Sequence, residues 1–174
     1  MFYALMIDSN GNGMGSHTYV EEPSSYPSNE IPCTETQAQN PTLYQVVGGQ
    51  IVESLTAAQS AQIALLQSSA QKAEQAPLTY TTSGGVTATF LMTPHQWTKF
   101  MGAYTKYVVK GDTFPSGYSF FDQNGKPVPV TVADISGIFD AGMAQIEGAM
   151  SKLSSLVAQV EAATTVSDVQ AVNW

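Results

Sequence analysis

Two histidines, one cysteine and a few clustered oxygen side chains are the residues of this chain whose types invite chemistry. His17 stands beside a turn and His95 in the first turn of a helical segment, and both read as ordinary exposed residues. Ser and Thr are plentiful, yet the Gly-x-Ser-x-Gly elbow of a serine hydrolase does not occur. Cys33, being alone, makes neither an intramolecular disulfide nor a thiolate zinc cluster. Asp8-Ser9-Asn10-Gly11-Asn12-Gly13 spaces its oxygen side chains and a glycine as a calcium loop does. The acid that should close such a loop is replaced by Tyr19, and no helices flank it, so a hairpin turn explains the run better. Gly11-Asn12-Gly13-Met14-Gly15 lacks the following Lys-Ser/Thr and helix of a phosphate loop. Glu21-Glu22 falls in a Pro/Ser-rich stretch, where solvated charge is the default. The expectation is a non-enzymatic chain with no catalytic residue, no metal and no cofactor.

Composition narrows the partners. The 174 residues carry six lysines, no arginine and 14 acids, a formal net charge of -8, with a pI near 4.4. That balance argues against nucleic acid, because phosphate neutralisation and guanine contacts depend on Lys and Arg. No apolar run approaches the ~18–20 residues that cross a bilayer, so no membrane insertion is expected. Met1–Asp8 lacks the basic region and cleavage site of a signal peptide, which points to synthesis in a cytoplasm. Charged residues are only 11% while hydrophobic ones reach 43%. With abundant Ser, Thr, Gln and Ala, that composition suits a surface meeting other protein or sugar. Residues 1–71 hold six acids and no lysine, an asymmetry that suggests two modules with different surfaces.

The elements that must position these residues make an α+β chain. Residues 1–53 read as a small acidic β-module: strand 2–7, the Asp8–Gly13 turn, a return over 17–20, a proline-broken packed loop over 21–42, and a hairpin over 43–53 around Gly48-Gly49. Residues 54–76 form a connecting helix, with Thr56 and Gln59 as its capping box. Residues 77–174 form a C-terminal α+β domain. It opens with a hairpin around Ser83-Gly84-Gly85. A helix follows, started by Thr93-Pro94, with Trp97, Phe100, Met101, Tyr104, Tyr107 and Val108 on one face. A second hairpin turns at Asp122–Gly125, its later strand an edge because of Pro127 and Pro129. A long helix over about 132–163 then begins at the Thr131/Asp134 box. Gly137, Gly142 and Gly148 weaken it and mark where a break is expected.

That last helix repeats apolar residues at three and four through more than four heptads, more than one small module is expected to cover. Its partner is either the 57–75 helix or a symmetry mate, so Ile63 and Leu66 on the connecting helix, with Phe139, Ile146, Leu153, Leu156 and Val160 on the long one, are the candidate oligomer or partner interface. Tyr19, Tyr26, Tyr44, Tyr80 and Tyr118 fall in strands, turns or loops and are candidates for a flat face that binds sugar or protein.

Thr82-Ser83-Gly84-Gly85-Val86, the stretch Gly117–Gly125, the long Ala-rich helix and the closing Thr165–Trp174 occur in that order. Together they resemble a domain of unknown function found in tailed-bacteriophage tail proteins, and the resemblance covers about residues 77–174. The β-module and helix in front are similar only in layout to small tail-fibre-associated proteins. The resemblance implies a virion location in the tail, other phage tail proteins as partners, and a homo-oligomer, with a trimer favoured because fibres are commonly trimeric. It also brings in host-surface glycan as a further partner. No catalytic residues come with it. Two roles follow as expectations: a structural component of the tail fibre or baseplate, or a fibre-assembly chaperone that binds the fibre tip.

Overall fold

The computed structural model describes residues 1–174. The fold is α+β, with five α-helices and four small antiparallel sheets. The chain forms two compact units: residues 1–66 with 156–174, and residues 67–155.

In the first unit, β1 (Phe2–Ile7) is the centre of a three-stranded sheet, flanked by β2 (Gly13–Tyr19) and β3 (Glu30–Cys33). Its Ala4 and Leu5 point to opposite faces, and both are fully buried. β3 replaces part of the loop expected over 21–42. Pro32 is tolerated there because β3 is an edge strand. A short helix, α1 (Glu35–Gln39), follows from a capping box in which Thr34 and Gln37 hold each other's backbone N–H groups. A 3-10 turn at Pro41–Leu43 then leads to the hairpin β4 (Tyr44–Val47) and β5 (Gln50–Glu53). The 3-10 turn passes so close to β2 that a Cβ on Gly13 would lie 2.0 Å from the Pro41 carbonyl oxygen. Only glycine fits there.

α2 (Leu55–Glu74) starts a residue or two earlier than the Thr56 box predicts. Ser54 caps it, its Oγ accepting from Ala57 N–H at 3.3 Å. Gln59, assigned to the box, instead sends its amide to the Val160 carbonyl at 3.1 Å. That carbonyl is near the end of α4 (Val132–Ala162), which is followed by α5 (Val166–Ala171). Residues 156–174 complete the core of this unit, with Val160 and Val169 both fully buried.

In the second unit, β6 (Leu78–Thr81) pairs with β7 (Thr87–Phe90). Thr79 faces Thr89 and Thr81 faces Thr87 on the exposed side, each pair joined through its hydroxyls. Ala88 and Phe90 face the core. α3 (Pro94–Ala103) is capped by Thr93 as the sequence predicts. Beyond Ala103 it widens into a π-helical turn over Tyr104–Val109, and Lys110 N–H reaches back five residues to Thr105 O at 3.0 Å. Phe100 and Ala103 are buried, whereas Met101, expected on the core face, is 38% exposed. It lies about 100° round the helix from Phe100, at the edge of the apolar arc.

β8 (Ser119–Phe121) and β9 (Pro127–Pro129) form the next hairpin. Both prolines occupy the alternate positions whose nitrogen faces away from β8. The donations at Asp122 and Val130 come from or reach the intervening register, so no ladder donor is lost. The core gathers Phe90, Met92, Phe100, Phe120, Val128, Val130, Ile135 and Ile138, with Tyr104, Tyr107, Phe114 and Tyr118 packed around it.

Three of the four hairpins turn on the same five-residue loop: Asp8–Asn12, Thr82–Val86 and Asp122–Lys126. In each, the first residue's N–H donates to the fifth residue's carbonyl, and the fourth residue, a glycine at positive φ, donates to the first residue's carbonyl. The first side chain then accepts from the loop's own N–H groups. Asp8 Oδ1 takes Asn10 and Asn12, Asp122 Oδ1 takes Asn124 and Lys126, and Thr82 Oγ1 takes Val86. The Asn12 side-chain amide, then the backbone N–H groups, hold the Asp8 carboxyl below its usual range. The Asp8–Gly13 run is thus a hairpin turn whose carboxylate serves its own loop. Asp122→Ala leaves two loop N–H groups without that acceptor. A loss of about 1 kcal/mol is expected in urea-unfolding midpoints, against no more than a few tenths for the exposed neighbour Gln123→Ala.

α4 runs unbroken for 31 residues. Its expected weak points are filled contacts. A Cβ on Gly137 would lie 2.2 Å from the Tyr80 hydroxyl oxygen, and one on Gly142 would lie 2.6 Å from the Trp97 ring. Gly148 faces open space.

Candidate functional site

In the first unit, α2, the Leu43–Tyr44 corner, the end of β5 and α5 enclose a groove of about 320 Å³. The small side chains Ala58 and Ala61 make its depth, and Leu43, Leu65 and Val166 make it apolar. Glu53 is an acid in its wall. Local bonding fixes the walls. Ser54 N–H donates to Leu43 O at 2.8 Å, and the Gln62 amide donates to Val172 O at 2.6 Å, holding the end of the chain against α2. Leu65 is 62% exposed and Leu43 41%. On the other face of the β4–β5 hairpin, Val47 and Val52 are also exposed.

The charge is divided by unit more sharply than by sequence. The first unit holds Asp8, Glu21, Glu22, Glu30, Glu35, Glu53, Glu161 and Asp168 and no lysine, a net of -8. The second holds all six lysines against Glu74, Asp112, Asp122, Asp134, Asp140 and Glu147, a net of zero. Three of those lysines, Lys99, Lys106 and Lys110, stand exposed on α3 and its π turn, together with exposed Met101 and Val109. Lys106 Nζ lies 5.3 Å from the Tyr107 ring centre.

A second cluster in the first unit was not foreseen. Glu30 is buried, and its carboxylate receives the Tyr19 hydroxyl on one oxygen and meets His17 Nδ1 at 2.7 Å on the other. His17 sits opposite Ala4 and Glu30 opposite Met6 on β1, so the two side chains meet diagonally over a residue too small to separate them. Tyr26 packs edge-on against Tyr19 at 5.7 Å. The arrangement is a carboxylate that orients an imidazole. The neighbouring hydroxyl, Ser16, lies on the opposite sheet face and donates to Ala38 O. Cys33 is half-buried on β3, and burial pushes its thiol up. No three His, Cys, Asp or Glu side chains come together at one point. The pairing of His17 with Glu30 had no sequence signal, because it depends on the register of a strand that contains a proline.

The seven residues expected to form an interface are placed as follows. Leu66 and Val160 are buried within the chain, at 2% and 0% exposure. Phe139 stacks on Trp97 and on Tyr104, with ring centres 5.7 and 4.0 Å away. Ile146 lines a small cavity with Met92 and Trp97. Ile63, Leu153 and Leu156 are half-buried. The heptad pattern is therefore largely answered inside each unit. In the second unit, the Gln145 amide also donates to the last carbonyls of α2, at Ala73 and Glu74, and to Ala76 O just beyond it. The five tyrosines expected to share a flat face divide between the two units. Tyr19, Tyr26 and Tyr44 lie in the first unit, while Tyr80 and Tyr118 pack against the core of the second. No helix is long and apolar enough to cross a membrane.

Neither the curated proteins nor the solved structures contain a significant match to this chain. Residues 57–173 match the sequence model of a family described as a domain of unknown function, DUF4376.

Proposed function

From the premise that the chain belongs to the DUF4376 family, we propose that it is a non-enzymatic structural component of a bacteriophage tail. It belongs at the fibre or baseplate and works by protein–protein assembly. The observation that carries this reading is the apolar groove of the first unit. Leu43 and Leu65 stand in water there, on a unit that holds the whole net charge of the protein. Exposed apolar clusters rimmed by polar surface are what contact sites look like. The resemblance of residues 77–174 to a domain of phage tail proteins supplies the setting. A protein inventory of purified virions by mass spectrometry tests it. The chain should appear at a fixed ratio to the fibre protein.

The second reading is a fibre-assembly chaperone. It is favoured by the burial of Leu66 and Val160 inside the chain, since a chaperone must be stable before it meets its fibre. The same experiment separates the two. A chain that is absent from virions but pulled down with fibre protein from infected cells overturns the structural role and supports the chaperone.

A further inference from the structure

The two exposed apolar surfaces described above are opposite in charge. The groove of the first unit has Leu43 and Leu65 at its mouth and Glu53 in its wall, and no lysine occurs anywhere in that unit to neutralise the acid. At the end of α3, exposed Met101 lines a shallow depression with Lys106, Lys110 and Asp112, and exposed Val109 stands next to Lys110 in the chain. Each surface exposes apolar side chains; the charge beside the first is acidic, and that beside the second is mainly basic.

We propose that the α3 end of one copy seats in the first-unit groove of a second copy. The proposal rests on the assembly reading and names its first partner, another copy of this chain. Apolar side chains drive such a contact through the area they bury, and complementary charge selects the register and speeds the encounter. The two faces are different surfaces, so one groove and one α3 end make each contact, either reciprocally in a two-fold pair or head to tail along successive copies. Head-to-tail contacts close into a ring or continue as a filament. A coiled-coil seam of Leu66 and Val160 is a poorer route, because the chain already covers those side chains.

Light scattering on the full chain and two variants tests this. The wild type in low salt should give a mass at a multiple of 18.5 kDa. In about 1 M salt, where screening shortens to ~3 Å, the assembly should form more slowly while its final mass is kept. Leu65→Lys spoils only the groove and Val109→Asp only the α3 end, so each alone should be a monomer. Mixed in equal amounts, each variant still offers one intact half, so the mixture should form a one-to-one dimer and stop there. Both positions are exposed, and far-ultraviolet circular dichroism verifies that the variants keep the wild-type fold.

A wild type that stays monomeric in low salt at every concentration overturns the proposal. So does an oligomer that neither variant changes, or a mixture that remains monomeric while the wild type associates. These outcomes leave the tail placement to the virion inventory. Conversely, a chain absent from virions that still associates head to tail overturns the placement and not the contact.

Discussion

Replacing Asp134 with alanine is expected to cost about 3 kcal/mol, the range for a buried charged acceptor that leaves donors unpaired. Asp134 is 2% exposed. Its carboxylate accepts from Ser83 N–H at 2.6 Å and Ser83 Oγ at 2.9 Å, and from Thr131 N–H and Thr131 Oγ, each at 2.8 Å. One side chain thus caps the start of α4 and holds the turn between β6 and β7 to it. Burial alone pushes this carboxyl up. The hydrogen bonds from Ser83 and Thr131 outweigh burial and hold it below the usual aspartate range. The sign of the pH effect follows from that lowered value. The stabilisation is complete above the ordinary aspartate pKa and is lost as pH falls through the lowered folded value. Urea unfolding followed by Trp97 fluorescence, in a Trp174→Phe background, should show wild-type stability declining on acidification. Asp134→Asn should start lower and show less of that decline. An Asn variant with an undiminished acid dependence would assign the effect to other carboxylates.

Gly142→Ala and Gly148→Ala are expected to change stability in opposite directions, although both replace a helix-interior glycine of α4 by the best helix former. At Gly148 the new methyl meets open space, so the helix gains about 0.5–1 kcal/mol. At Gly142 it would lie 2.6 Å from the Trp97 ring and 2.8 Å from Met92 Cε. Methionine can move aside, but Trp97 is held by its stack on Phe139. The overpacking should cost about 2 kcal/mol after the propensity gain is counted. Denaturant midpoints of the two variants, measured side by side, check the sign. A stabilised Gly142→Ala would mean that the Trp97–Phe139 stack yields more easily than its geometry suggests.

Those glycines show what the sequence made legible and what it did not. Read alone, a glycine in a helix is a weak point, and its use as a close-packing site depends on which side chain a distant strand or helix brings to it. Thr93-Pro94 and Thr131-x-x-Asp134 were legible because caps are local chemistry, bonded within one turn. The Asp122–Gly125 and Ser83–Gly85 turns were legible for the same reason. Thr34-x-x-Gln37 carried an equally local signal for α1, hidden among the prolines on either side. Ser54 was passed over in favour of Thr56 because both precede helix formers, and only the chain's approach to Leu43 selects between them. The π turn at Tyr104–Val109 left no trace in the apolar spacing. Of the candidate site, the charge asymmetry was visible. The groove was not, since its walls come from residues 43–65 and 166–170, a hundred positions apart in the chain.

The same separation sets an order of events in the life of the molecule. Residues 67–155 are one continuous stretch, so the second unit draws its contacts from a single run of the chain. Residues 1–66 emerge first yet must wait for residues 156–174, whose Val160 and Val169 complete their core. The first segment made thus completes its core only with the last, and its acidic, lysine-free character favours solubility meanwhile through self-repulsion. Trimming the final helix would accordingly release the whole leading segment rather than a tail.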